Sequence, residues 1–154
     1  MARYLLVAHQ TAQSDELLEA ARELARDDAL AEFVLLVPAT PVVNLLVWEE
    51  GETQEVALRH AAAGRARLVQ HGLRCVEART ADPNPLHAVA DEMHDGGRFA
   101  AIMVSTLPAG VSRWLRMDVI SRIRRNFPSL RVIHVEVRSG ALAPEPAPVR
   151  ELTI

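Results

Sequence analysis

Apolar residues along this chain fall into two alternating patterns. Five short runs, Tyr4–Ala8, Phe33–Val37, Cys75–Ala78, Ala101–Val104 and Val132–Val137, are separated by longer stretches with helical spacing. Short, nearly continuous apolar runs suit strands covered on both faces, as in a parallel sheet. The last run differs: it alternates, with His134 and Glu136 on one face, which predicts an edge strand with one wet side. The intervening stretches carry helix signals. Ser14 precedes a segment with Asp15 and Glu16 in its first turn, where the helix dipole favours carboxylates. Leu17, Leu18, Ala21, Leu24 and Ala25 form an apolar stripe there.

A second helix is predicted from about Thr53 to His71, stopped by Gly72 at the position after the cap. A third starts after Asp82-Pro83-Asn84-Pro85 and ends at Gly96-Gly97. A fourth begins near Gly110-Val111-Ser112 and runs to about Asn126, stopped by Pro128. The order β-α-β-α-β-α-β-α-β reads as one doubly wound α/β domain over residues 1–138, with right-handed crossovers placing helices on both faces. Two segments stand outside the pattern. Residues 38–52 form a long connection with an apolar centre around Leu45, Leu46 and Trp48, either packed over a sheet end or presented to a protein partner. Residues 139–154 are rich in Pro and Ala and read as an extended tail, a second possible contact for a partner.

Composition narrows the chemistry. The chain of 154 residues is 49% hydrophobic and 24% charged, enough to build a core, and its net charge of −3 argues against nucleic acid as a partner. All 17 basic residues are Arg. The absence of Lys removes every mechanism built on a phosphate-loop, Schiff-base or kinase-type lysine. A single Cys75, set in a strand, excludes an internal disulfide and reads as a buried small hydrophobe. No stretch approaches the roughly 20 apolar residues that span a bilayer, and the start lacks a signal sequence, so the expected compartment is the cytoplasm, with no membrane partner.

In an open doubly wound sheet, ligands bind beyond the carboxyl ends of the strands where the strand order reverses. The candidate residues in these loops are His9 and Thr11 after the first strand, Asp82 after the third, and Ser105, Thr106, Gly110, Ser112 and Arg113 after the fourth. Hydroxyls, a glycine and a helix start can present N–H groups to an anion, and Arg113 can grip phosphate or carboxylate with two parallel bonds. The plainer alternative is that Ser112 only caps a helix, that Arg113 pairs with a carboxylate and that Trp114 belongs to the core. With strands 1 and 4 adjacent, a His9/Ser105 dyad of a small hydrolase is also conceivable, although no nucleophile elbow is present. His87, Asp91 and His94 share a helical face, better explained as a solvated face than as metal ligands. The run Arg122, Arg124, Arg125 and Arg131 reads as a solvated helix end.

The element alternation from Arg3 to Val137, with the segment VSTLPAGVSRWLRMDVISRIRR after the fourth strand, resembles the universal stress protein family. STLP followed by SRWLRMD, with ADPNP upstream, is similar to a bacterial subgroup of stress-protein-like domains. The resemblance implies a three-layer, Rossmann-like parallel five-stranded sheet in the order 3-2-1-4-5, and a homodimer joined through the last strand, Val132–Val137. Nucleotide-binding members carry G-x2-G-x9-G-[ST] after strand 4 and an Asp ending strand 1. Here Ser105 and Pro108 stand at the first two glycines, the third falls near Met117 before Asp118 with the spacing one residue short, and His9 replaces the Asp. Glycine lets backbone approach phosphate closely, whereas Pro108 has no N–H to give. The expectation is therefore a non-catalytic stress or regulatory module with no cofactor and a degenerate adenine-nucleotide motif. The alternative is a nucleotide or anion module using the Ser105–Arg113 loop.

Overall fold

A computed structural model describes residues 2–39, 50–95, 98–109 and 112–138; for residues 50–53, Arg113 and Arg116 it describes the backbone alone. The expectations for most of the 38–52 connection, for Gly110 and for the tail fall outside these residues.

Among the described residues five strands form, β1 (Arg3–Val7), β2 (Glu32–Pro38), β3 (Arg74–Ala81), β4 (Ala101–Thr106) and β5 (Arg131–Glu136). They pair in parallel in the order β3-β2-β1-β4-β5, so the sheet is the one expected. All six residues of β4 are buried, as a central parallel strand requires. β3 is longer than its apolar run. It continues through Arg79, Thr80 and Ala81 because pairing with β2 as far as Pro38 satisfies its backbone groups. A register shift opposite Phe33/Val34 leaves Val76 without a partner on β2, which keeps Cys75 in the core and turns Val76 outward.

Alternation along each strand divides the core in two. Leu6 of β1 faces a layer made by α1 (Asp15–Ala25) and α2 (Glu50–Gln70), through Leu17, Leu18, Ala21, Ala57, Ala61 and Leu68. Leu5 and Val7 face the other layer, α3 (Pro85–His94), α4 (Arg113–Arg116) and α5 (Val119–Asn126), through Ala88, Val89, Trp114, Val119, Ile120 and Ile123.

The helix ends follow their chemistry. Ser14 Oγ accepts from Leu17 N–H at 3.1 Å. Asn84 caps α3 in the same way, with Pro85 opening the helix where its missing N–H has no consequence. α2 closes with Gly72 at φ +87°, Leu73 N–H reaching Leu68 C=O and Gly72 N–H reaching Val69 C=O.

Two expectations are corrected. The helix after β4 is not continuous: it breaks into α4 and α5 at Asp118, which sits at φ +58°. On an unbroken helix, Trp114 and Ile123 would lie about 180° apart at 3.6 residues per turn. Both are buried against the same layer, and the break is what lets them be. The wet side of β5 is also smaller than its alternation suggests. Val132 packs on one layer and Ile133 and Val135 on the other, and His134 is partly buried and hydrogen-bonded. Among the described residues no helix is long and apolar enough to cross a membrane.

Candidate functional site

The strand order reverses between β1 and β4, and the crevice beyond their carboxyl ends is the place where such sheets take ligands. Ser105 and Thr106 end β4, and their side chains leave on opposite faces. Ser105 Oγ donates to Thr11 Oγ1 at 2.7 Å, and Thr11 Oγ1 donates to Ser105 C=O at 3.2 Å. Both residues are about 1% exposed, so the pair bridges the two strand ends with little surface left for a ligand. On the other face Thr106 Oγ1 shares a hydrogen bond with His134 Nε2 at 2.8 Å. Burial pushes the His134 ring below its ordinary pKa, opposed by Glu136 and assisted by Arg124.

The loop after β4 is held by its own chain. Ala109 N–H donates to the Glu136 carboxylate at 2.8 Å. Ser112 N–H donates to Pro108 C=O at 2.9 Å, and Ser112 Oγ accepts from Leu115 N–H at 3.1 Å, so this hydroxyl caps α4. Val137 N–H donates to Thr106 C=O. Glu136 also accepts from Arg138 at 2.9 Å, and Arg138 N–H in turn donates to Glu16 at the start of α1. The Arg138 bond first, and the Ala109 N–H second, hold the Glu136 carboxyl below the usual carboxylate range. A carboxylate of β5 thus stands where a loop N–H would otherwise face an external anion.

The remaining sequence candidates separate. His9 is buried, its ring tilted against that of His60 on α2 with centroids 5.0 Å apart. The Ser105 hydroxyl donates to Thr11, so the hydrogen bond a His9/Ser105 dyad would use is given to another partner. Asp82 follows β3 at the far edge of the sheet, away from the β1/β4 crevice. Its carboxylate accepts from Asn84 N–H at 2.9 Å and lies 3.9 Å from His87 Nδ1, a local turn. Arg113 opens α4. The Cys75 thiol is buried and pushed up by desolvation, as an inert core cysteine should be. Among the described residues no group of three or more His, Cys, Asp or Glu is placed to hold a metal ion.

The sequence marks His134 and Glu136 only as the wet face of the last strand and reads His60 as an ordinary surface residue, whereas His60 is buried on α2. His60 shares a stripe with Ala57, Ala61, Gly64 and Leu68, whose spacing marks the buried face of α2. Glu136 is the register partner of Thr106, which aligning the ends of the fourth and fifth runs would reveal.

No family model matches the chain, and no curated protein matches it. Among solved structures it is similar to the crystal structure of a protein from the universal stress protein family from Burkholderia pseudomallei. The two share 17% sequence identity with a TM-score of 0.57, over 87% of this chain and 95% of that one. This likeness shows a universal-stress-protein-like fold.

Proposed function

We propose that this chain is a non-catalytic regulatory module of the universal-stress-protein type, one that does not hold adenine nucleotide in the β4–α4 loop. The observation that carries the reading is the Ala109 N–H bonded to the chain's own Glu136 carboxylate. A phosphate arriving at this loop would meet a negative charge already in place and an N–H already used. Pro108 contributes no donor, and its carbonyl accepts from Ser112 instead. The adjacent hydroxyls are committed as well, Ser105 to Thr11 and Ser112 to the α4 cap. The module works as a homodimer joined along β5, whose outer edge no other strand covers among the described residues.

Calorimetry with ATP, AMP and cyclic nucleotides at millimolar concentration tests the ligand half of this reading. The expected result is no binding heat. Saturable binding of any of them, with backbone amide shifts at Ser105, Thr106 and Ala109, would overturn it and restore the anion-binding alternative.

A further inference from the structure

At the opposite end of the sheet, where β1, β4 and β5 begin, lies a groove of about 690 Å³. The groove is open to solvent along much of its length, so it would cover one side of a small ligand and leave the other wet. Its apolar wall includes Phe99, Phe127 and Leu130, partly buried residues packed on the α3–α5 layer. Arg3, Arg98, Asn126 and Ser129 supply its polar lining, and among the described residues no carboxylate lines it.

The two arginines are the informative feature. The Arg3 guanidinium lies over the Phe99 ring, 5.5 Å from its centroid. Its Nε is buried, 3.4 Å from Glu32 Oε1, and makes no hydrogen bond. Glu32 is shared, because Arg74 also lies 3.4 Å from it. One carboxylate therefore serves two guanidinium groups. Arg98 is exposed, and its side chain makes no hydrogen bond or ion pair with another described residue. The groove thus joins an aromatic wall to a surplus of positive charge with donors in hand.

We propose that this groove is a binding site for a small aromatic carboxylate. An inorganic anion would leave the phenylalanine wall wet, and a neutral aromatic would leave the arginine donors unused. A flat ring with a carboxylate at one end meets both, the ring against Phe127 and Leu130 and the carboxylate against the forked guanidinium groups. A cation is disfavoured by Arg3 and Arg98 together. The site lies away from the β1/β4 crevice and stands or falls independently of how that crevice is used.

The test is a titration of the full chain with 2-naphthoate, followed by backbone amide shifts, with 2-naphthamide as the neutral isostere. Saturable millimolar or tighter binding is expected, with the largest shifts at Phe99, Asn126 and Leu130. Naphthamide should bind several-fold more weakly. Arg98→Ala should weaken naphthoate by about three- to fivefold, the size expected of a partly exposed ion pair. Arg3→Gln should act in the same direction, and Arg98→Ala alone carries the test if Arg3→Gln does not fold. Absence of binding at about 5 mM of probe, the weak end of useful affinities, shifts centred elsewhere, equal binding of naphthamide, or no effect of Arg98→Ala would each overturn the proposal.

Discussion

Gly64 shows how much a single missing methyl can decide. It sits on the buried face of α2, and a Cβ there would stand 2.8 Å from Leu35 Cδ2 and 3.0 Å from the Ala12 carbonyl oxygen. Ala12 belongs to the loop after β1, so this contact sets how closely α2 lies over the β1 end of the crevice. Alanine favours a helix interior by about 1 kcal/mol over glycine. Overpacking against a fully buried Leu and a backbone oxygen costs about 1–3 kcal/mol. The clash should win: Gly64→Ala is expected to lower Tm by a few degrees (about 2–4 °C per kcal/mol at this size), read by calorimetric melting. His134 gives a second prediction at this scale. Burial holds its folded pKa below the ordinary 6.5, so the unfolded chain takes up the proton first. Stability should therefore rise with pH up to about that ordinary value and be lost as pH falls below it. Glu136 tempers the effect and Arg124 adds to it. Melting from pH 7 to pH 5 should cost the wild type more than His134→Gln. Equal slopes would assign the acid sensitivity to other groups.

At the scale of elements, the strands and most caps are legible in the sequence because each rests on local signals. Ser14, Asn84 and Gly72 act through bonds to residues no more than five positions away, and apolar runs bury themselves wherever both faces are covered. What local signals do not carry is the choice among competing long-range contacts. Arg113 to Asn126 has the composition of one helix, yet Asp118 takes a left-handed conformation because Trp114 and Ile123 both need the same layer. The bulge that turns Val76 out is likewise decided by β2, more than forty residues upstream. The site was half legible for the same reason. Thr11, Ser105 and Thr106 could be placed by topology, but their partners depend on register between strands. Glu136 is the clearest case, since the loop after β4 is shaped by a carboxylate at the end of β5. Glu136→Ala should free the Ala109 amide, raising its hydrogen-exchange rate well above that of Ser112, whose N–H stays bonded to Pro108 C=O. Unchanged protection of Ala109 would mean that the loop holds its shape without the carboxylate.

At the scale of the molecule, the two edges of the sheet are unlike. β3 is half exposed and strongly charged, its Arg74 paired with Glu32 and its Arg79 paired with Glu77 and Glu92, and charged side chains of this kind deter pairing with another strand. β5 carries fewer such guards along its length. Arg124 donates to the Val132 carbonyl at 3.2 Å and blunts one position. The direction of the remaining edge groups follows from the ladder. Val137 N–H points inward to Thr106 C=O, and alternation then turns the N–H groups of Val132, His134 and Glu136 toward the free edge. A second copy adding its own β5 would satisfy those three donors and leave the inward ones unchanged. The proposed dimer therefore predicts a pattern as well as a mass. Light scattering should give twice the chain mass at micromolar concentration. Hydrogen exchange at rising concentration should slow Val132, His134 and Glu136 together while Ile133 and Val135, already bonded to β4, hold constant. A dimer that forms without this alternation would place the interface on another surface, and a chain that stays at monomer mass would remove the interface altogether.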